Sequence, residues 1–333
     1  MRKLRRLEFF YLCYRIFMSK PVLLSGMKPT GTPHIGNYFG ALKQWVDLQE
    51  AGAHDCYLMI ADYHALNFIQ DAGQMHALTR ELARTLLAIG LDPERVTIFK
   101  QSDVPAHTEL AWVFDTITTM PYLMRAHAFK DAEAKDKEIN VGTFNYPMLM
   151  AADILLYDAN AVPVGQDQKQ HIEYARDTAE KFNRVFNTET FTLPEPYIMP
   201  EVAIVPGTDG QKMSKSYGNT IPLFASREEL TKAVMGIVTD SSGERPGNVY
   251  AIHRLVKGGD ELDALYEENK GQYKAIKEAL IEDLEAFIAP MRERYEALED
   301  SDDIDAMLAR GGEAARAKTN AKMAAVKKAI GVA

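Results

Sequence analysis

Val22-Leu23-Leu24-Ser25-Gly26-Met27-Lys28-Pro29-Thr30-Gly31-Thr32-Pro33-His34-Ile35-Gly36-Asn37 reads as a strand, a loop and the start of a helix. The apolar run Val22-Leu23-Leu24 stops at Ser25-Gly26, as a short buried strand does before a turn. Lys28 to Pro33 is a loop by composition. From Gly36 onward, Tyr38, Ala41, Leu42, Trp45 and Val46 recur at helical spacing. The pattern then repeats. Cys56-Tyr57-Leu58-Met59-Ile60-Ala61 predicts a second strand, and a helix follows from Gln74 to Gly90, where the glycine ends it. Val96-Thr97-Ile98-Phe99 predicts a third strand. Strands returning every ~35 residues with helices between them build βαβ units, so the fold class is α/β with a doubly wound, Rossmann-like parallel sheet.

Further along, the chain turns helical. Pro147 is placed to begin a helix through Met148 to Tyr157, and Asp167 to Asn183 forms another, with the short apolar stretch Ala161-Val162-Pro163-Val164-Gly165 between them. Beyond residue 224, Ile276, Leu280, Leu284, Phe287, Met291, Tyr295 and Leu298 trace one face of a helix. Residues 260–305 hold 16 acidic and five basic side chains, whereas residues 310–333 hold six basic and one acidic. The C-terminal region is therefore read as a helical domain with an acidic middle and a basic tail. Arg316, Lys318, Lys322, Lys327 and Lys328 of that tail are candidate phosphate contacts, or else a solvated helix face.

Composition removes several classes of protein. Cys13 and Cys56 are the only cysteines, so no disulfide framework and no cysteine-built metal or iron–sulfur site is supported, and a reducing cytoplasmic setting is expected. The net charge of −9 excludes a protein that holds nucleic acid by its overall field. No DNA or membrane partner is expected. The basic and then apolar residues 1–17 lack a small-residue cleavage site and are too short to span a bilayer, so residues 1–19 read as an N-terminal extension, disordered or upstream of a true start at Met18.

Two stretches have the composition of a phosphate site. Pro33-His34-Ile35-Gly36-Asn37 sits between a strand and its helix, where amides and the helix dipole favour anions. Gly36 admits a close backbone approach, and His34 and Asn37 are side chains able to donate to phosphate oxygens. A loop histidine beside a helix cap would look the same. Lys212-Met213-Ser214-Lys215-Ser216 lies among Gly207, Gly210 and Gly218. Mobile ammonium groups suit a departing pyrophosphate, although a short charge cluster is also what a solvated loop carries.

The pair, in this order and spacing, resembles the two signatures of the class I aminoacyl-tRNA synthetases, with Asn37 in place of the last histidine of the first signature. The segment from Tyr146-Pro147-Met148-Leu149-Met150-Ala151-Ala152-Asp153 to Tyr157, then Val162 to His171, Arg176-Asp177 and Phe182-Asn183, is similar to the tryptophanyl branch, bacterial type, over residues 20–330. On a helix Tyr146, Met150 and Asp153 share one face. A carboxylate there is suited to accept an indole N–H while a methionine packs on the ring. A core methionine and a satisfied buried acid would give the same stripe.

The resemblance implies a two-step reaction that uses ATP with Mg²⁺, L-tryptophan and tRNA(Trp), in a cytoplasmic homodimer. It implies a HUP-type catalytic domain at 20–223 with an inserted dimerising helical segment at about 105–185, and a helical anticodon-binding domain at 224–333. It assigns His34, Asn37, Lys130, Lys212 and Lys215 to catalysis. To ATP it assigns Lys28, Pro29, Thr30, Gly36, Asn37, Gly165, Gln166, Asp167, Lys212, Met213, Ser214, Lys215 and Ser216. To tryptophan it assigns Asp153, Met150, Tyr146, Gln168 and His64. No protein metal site is implied, since Mg²⁺ travels with the ATP phosphates. Lys28 and Gln166 depart from the family's usual glutamine and glutamate, and the cluster cysteines of some relatives are absent. A tyrosine-specific enzyme of the same class and a non-charging RNA- or partner-binding paralogue are the alternatives.

Overall fold

The computed structural model describes residues 20–126, 129–130, 133, 139–159, 161–164, 169–198, 205–239 and 245–333. In β1 (Val22–Met27) the side chains alternate between two cores. Leu23 joins Leu58, Ile60 and Ile98 on one face, while Val22 and Leu24 join Tyr57, Met59 and Phe99 on the other. Both faces are thus buried, as a parallel sheet requires. β2 (Asp55–Ile60) pairs with β1 from Val22↔Asp55 to Met27↔Ile60, and β3 (Thr97–Lys100) pairs with β2. β4 (Ala161–Val164) lies on the other side of β1, and β5 (Glu195–Ile198) lies beyond it. The order β3-β2-β1-β4-β5, all parallel, is the expected doubly wound sheet. Its winding reverses between β1 and β4, so the ligand crevice belongs at the carboxyl ends of those two strands.

Helices cover both faces. Helical backbone begins at Ile35–Asn37, widens into a π-type turn over Tyr38–Leu42 and continues as α1 (Lys43–Ala51). α2 (Asp62–Ala65) follows β2, and α3 (Ala72–Ala88) closes at Gly90, whose φ of 101° is open to glycine. A 3₁₀ turn at Gln101–Asp103 leads from β3 to α4 (Ala106–Ile117) and α5 (Met120–Leu123). α6 (Val141–Leu156) and α7 (Lys169–Val185) flank β4. The remaining helices are α8 (Arg227–Met235), α9 (Gly247–Val256), α10 (Asp260–Glu268), α11 (Tyr273–Ala297) and α12 (Asp303–Ile330).

The structure corrects three readings. α6 starts at Val141, not at Pro147, because Asn140 caps it by accepting from Thr143 N–H (2.7 Å), and Pro147 sits inside the helix. β5 was not anticipated. Its Glu195 and Pro196 break the apolar signature, and such residues are tolerated on an edge strand. The basic tail is not a row of unengaged cations: Arg316 donates to Asp103 O (2.7 Å), Lys322 pairs with Asp158 (2.6 Å) and Lys327 with Glu109 (2.8 Å). The reading of residues 1–19 as an extension lies outside the described residues.

α12 runs along the exposed edge of β3 and joins both cores, with Ile304, Met307 and Leu308 in one and Ala315, Met323 and Val326 in the other. Two glycines set its distance. A Cβ on Gly311 would fall 1.8 Å from Ile98 O, a backbone atom that cannot swing aside. Gly311→Ala is therefore expected to cost roughly 2–3 kcal/mol through overpacking, read as a lowered melting temperature. A variant that melts with the parent would show that the helix slides freely.

Candidate active site

The turn after β1 is built by reciprocal hydrogen bonds. His34 Nδ1 accepts from Asn37 N–H (3.2 Å), and Asn37 Oδ1 accepts from His34 N–H (3.1 Å). This capping box makes His34 the cap, where the sequence alone suggested Asn37. It also fixes the imidazole: with Nδ1 accepting, Nε2 carries the proton. Burial, and then the nearby Lys215 ammonium, hold the His34 pKa down at about 4. The ring is a neutral donor at pH 7, and the Asn37 amide keeps its hydrogens for a ligand.

The distant lysine loop lies on this turn. Ile35 N–H donates to Ile221 O and Leu223 N–H to Pro33 O (both 3.0 Å), a short antiparallel bridge that joins the two sequence signatures. Gly36 is needed at the junction, since a Cβ there would sit 3.2 Å from Met213 Cβ and 2.9 Å from His34 Nδ1. Met213 is buried and anchors the loop, and its N–H donates to Val205 O (3.0 Å). Lys215 Nζ reaches across to donate to Thr30 O (3.2 Å). Ser214 and Ser216 share a hydroxyl hydrogen bond (2.9 Å), and Lys212 is exposed. Lys28 Nζ stands 4.8 Å above the ring of the exposed Phe68. Thr30, His34, Asn37 and Lys215 are thus brought together at this turn, with Met213 buried, and Lys28 exposed on the same β1–helix loop.

Sequence reasoning missed the residue that shapes the lysine loop. Asn219, 2 % exposed, accepts from Ser214 N–H (2.8 Å) and donates to Lys212 O (3.2 Å) and Asp209 Oδ1 (2.7 Å). An asparagine after a glycine looks like any turn residue, so only the tertiary contact identifies it.

A second centre surrounds Asp153 on α6. His107 Nδ1 donates to Oδ1 (2.6 Å), His64 Nε2 donates to Oδ2 (3.0 Å), and Gln101 Nε2 lies within donating distance of both oxygens (2.8 Å from Oδ1, 3.0 Å from Oδ2). Burial opposes the charge of Asp153, but the positive pole of His107 and the hydrogen bonds from His107 and His64 outweigh it and hold the pKa at about 2. Asp153 is ionised and oriented, with three donors against roughly four acceptor sites on a carboxylate. Tyr146 meets His64 edge-on (6.3 Å), and the half-buried Met150 lies one turn before Asp153 on the same helix. Gln101, His107 and Tyr157 were given no role by the sequence reading. Among the described residues, Lys130 is exposed and makes no side-chain hydrogen bond or ion pair with either centre. Gly165, Gln166, Asp167 and Gln168 lie outside the described residues.

Chemically, the first centre suits a polyphosphate and the second a buried N–H donor. Comparison with known proteins identifies the family. The family model tRNA synthetases class I (W and Y) matches residues 18–314. The tryptophan--tRNA ligase of Fusobacterium nucleatum is 45% identical over 318 residues, covering 93% of this chain and 97% of the relative. That of Rhodopirellula baltica is 45% identical over 304 residues, covering 88% and 94%. The crystal structure of tryptophanyl-tRNA synthetase from Campylobacter jejuni complexed with ADP and tryptophan superposes with a TM-score of 0.85 at 41% identity, covering 93% of this chain and 99% of that one.

Proposed function

The chain belongs to the class I tRNA synthetases of the tryptophan and tyrosine group, and from that premise we propose that it activates L-tryptophan with ATP and transfers it to tRNA(Trp). In the first step the tryptophan carboxylate oxygen bonds to the α-phosphorus of ATP, and the bond to the β,γ-pyrophosphate breaks. In the second, a ribose hydroxyl at the tRNA terminus bonds to the carbonyl carbon and AMP leaves. No protein nucleophile is required, so the protein contributes positioning and charge stabilisation. His34 and Asn37 donate to phosphate oxygens, and Lys215, with Lys212 and Lys130, meets the charge that develops on pyrophosphate. Lys28, Pro29, Thr30, Gly36, the lysine loop and residues 165–167 form the ATP site. Asp153 accepts the indole N–H, Tyr146, Met150 and His64 wall the ring, and Gln168 takes the amino group.

Asp153, a buried carboxylate kept ionised by three donors and able only to accept, calls for a ligand that brings a donor, and the 45% identity to tryptophan--tRNA ligases over 88–93% of the chain favours an indole N–H over a phenol O–H as that donor. A pocket of this kind rejects ligands that bring no donor. Amino-acid-dependent ATP–pyrophosphate exchange tests the reading, with tryptophan expected to support exchange and tyrosine not. Exchange with tyrosine alone would overturn it.

The groups proposed to meet ATP are cations and amides. That donor set fits Mg²⁺ held by the ATP phosphates themselves. For assembly we propose a homodimer through the segment at about 105–185, where Trp112, Met120, Met124 and Val141 are 46–79% exposed. A protomer-sized species in sedimentation would overturn that. The C-terminal helices, 224–333, are proposed to read the anticodon, and the site of action to be the cytoplasm. Among the described residues no helix is long and apolar enough to cross a membrane.

A further inference from the structure

We propose that His107, held by the Tyr157 hydroxyl, is a positioning residue for tryptophan: it keeps Asp153 an oriented anion whose free acceptor site faces the indole N–H. The inference rests on the reading of Asp153 as the indole partner.

His107 is fully buried between two groups. Its Nδ1 lies 2.6 Å from Asp153 Oδ1, and its Nε2 lies 3.1 Å from the Tyr157 hydroxyl. A carboxylate only accepts, so Nδ1 carries a proton. The hydroxyl then donates to Nε2, a proton placement that follows from the network. Tyr157 cannot turn away. It is fully buried against Tyr57 (5.2 Å) and Phe99 (5.7 Å), and burial and the Asp153 charge raise its pKa, which keeps the proton on it. Gln101 closes the other side. Its Oε1 accepts from His64 N–H (3.3 Å), which points its Nε2 at Asp153.

His64, with 13% of its side chain exposed, is the member of this cluster that reaches the opening. His107 stands behind Asp153 and acts through it. The groups that face Asp153 are His64 from α2, Gln101 from the 3₁₀ turn and His107 from α4. Tyr146 of α6, Tyr157 that caps its C-terminus and Tyr57 of β2 beyond complete the surroundings. Among these, His107 is the fully buried imidazole, and its Nδ1–H, aimed at Oδ1 from 2.6 Å, favours the ionised form of Asp153. Without it, burial regains the upper hand and Asp153 takes up a proton at higher pH.

The test is exchange kinetics on the full chain with His107→Leu, His107→Asn, Tyr157→Phe and Asp153→Asn. His107→Leu is expected to raise the tryptophan KM roughly 10- to 100-fold, leave the ATP KM within about threefold, and bring an acidic limb into kcat/KM for tryptophan between about pH 4 and 6. Asparagine at 107 offers an N–H in place of Nδ1 and restores most of the loss. Tyr157→Phe, which keeps the ring, gives a smaller rise and answers the question if the leucine variant does not fold. A folded His107→Leu enzyme with the parent's tryptophan KM and pH profile, while Asp153→Asn is impaired, overturns the positioning role alone. Equal losses for tryptophan and ATP also overturn it, because they mark a merely structural residue. An unimpaired Asp153→Asn removes the indole reading and this inference with it.

Discussion

Lys215→Ala lowers the rate of tryptophan-dependent pyrophosphate exchange by roughly 10²–10³-fold, with the tryptophan KM within about threefold. The expectation comes from where the ammonium stands. Its Nζ is fastened to Thr30 O and lies beside the neutral His34, on a loop whose backbone is clamped by Asn219 and anchored by Met213. An ammonium presents three donors and one of them is occupied, so two remain for the leaving oxygens. Negative charge grows there only as the phosphorus–oxygen bond breaks, and the contact is therefore worth more in the transition state than in the bound state. Loss of Lys215 also removes the second cause that depresses His34, so the histidine pKa rises from about 4 while burial keeps it below its ordinary value. An alanine variant that binds ATP more weakly at unchanged kcat would falsify the transition-state role.

Asp153→Asn raises the tryptophan KM by about 10- to 100-fold, the worth of a hydrogen bond to a charged acceptor, and lowers the melting temperature as well. The side chain keeps its shape but loses half its acceptors. Its new NH₂ then confronts donors from His64, Gln101 and His107 at a residue that is only 2% exposed. Leaving buried donors unpaired costs roughly 1–3 kcal/mol each. The ATP KM stays near the parent's, because the phosphate-binding turn belongs to a different element. Titration calorimetry with tryptophan and with an indole-N-methylated analogue separates the effects: the parent discriminates between the two ligands and the variant does so far less. Discrimination retained in the variant would place the indole contact elsewhere.

Three of the five strands were legible because local signals agreed with the global fold, whereas 161–164 was seen only as an apolar stretch. Leu23 and Leu24 alternate into opposite cores, the helix after His34 has its apolar stripe, and Gly90 stops α3 where predicted. β5 was not legible, since an edge strand with Glu195 and Pro196 lacks the apolar run that marks a buried one. Tyr146, Met150 and Asp153 could be placed on one face by helical spacing, and the structure joins His64 to them. The donors to Asp153 could not be found that way. Gln101 and His107 lie 52 and 46 residues from it in sequence, on a turn and a helix whose own patterns ask only for burial. Asn219 escaped for the same reason: a polar side chain that organises a loop leaves no periodic trace.

The docking of α12 on the edge of β3 has a consequence for how the molecule is made. Strand residues 97–100 leave the ribosome roughly two hundred residues before the helix of residues 303–330 that covers them. At ordinary elongation rates of ~5–20 residues per second, that edge waits about 10–40 s with its carbonyls unpaired. For that interval the nascent sheet presents the open border that invites pairing with another chain. Gly311 and Gly312 thus belong to a seal applied last, and the time taken to synthesise the intervening chain governs how long the growing enzyme stays adhesive.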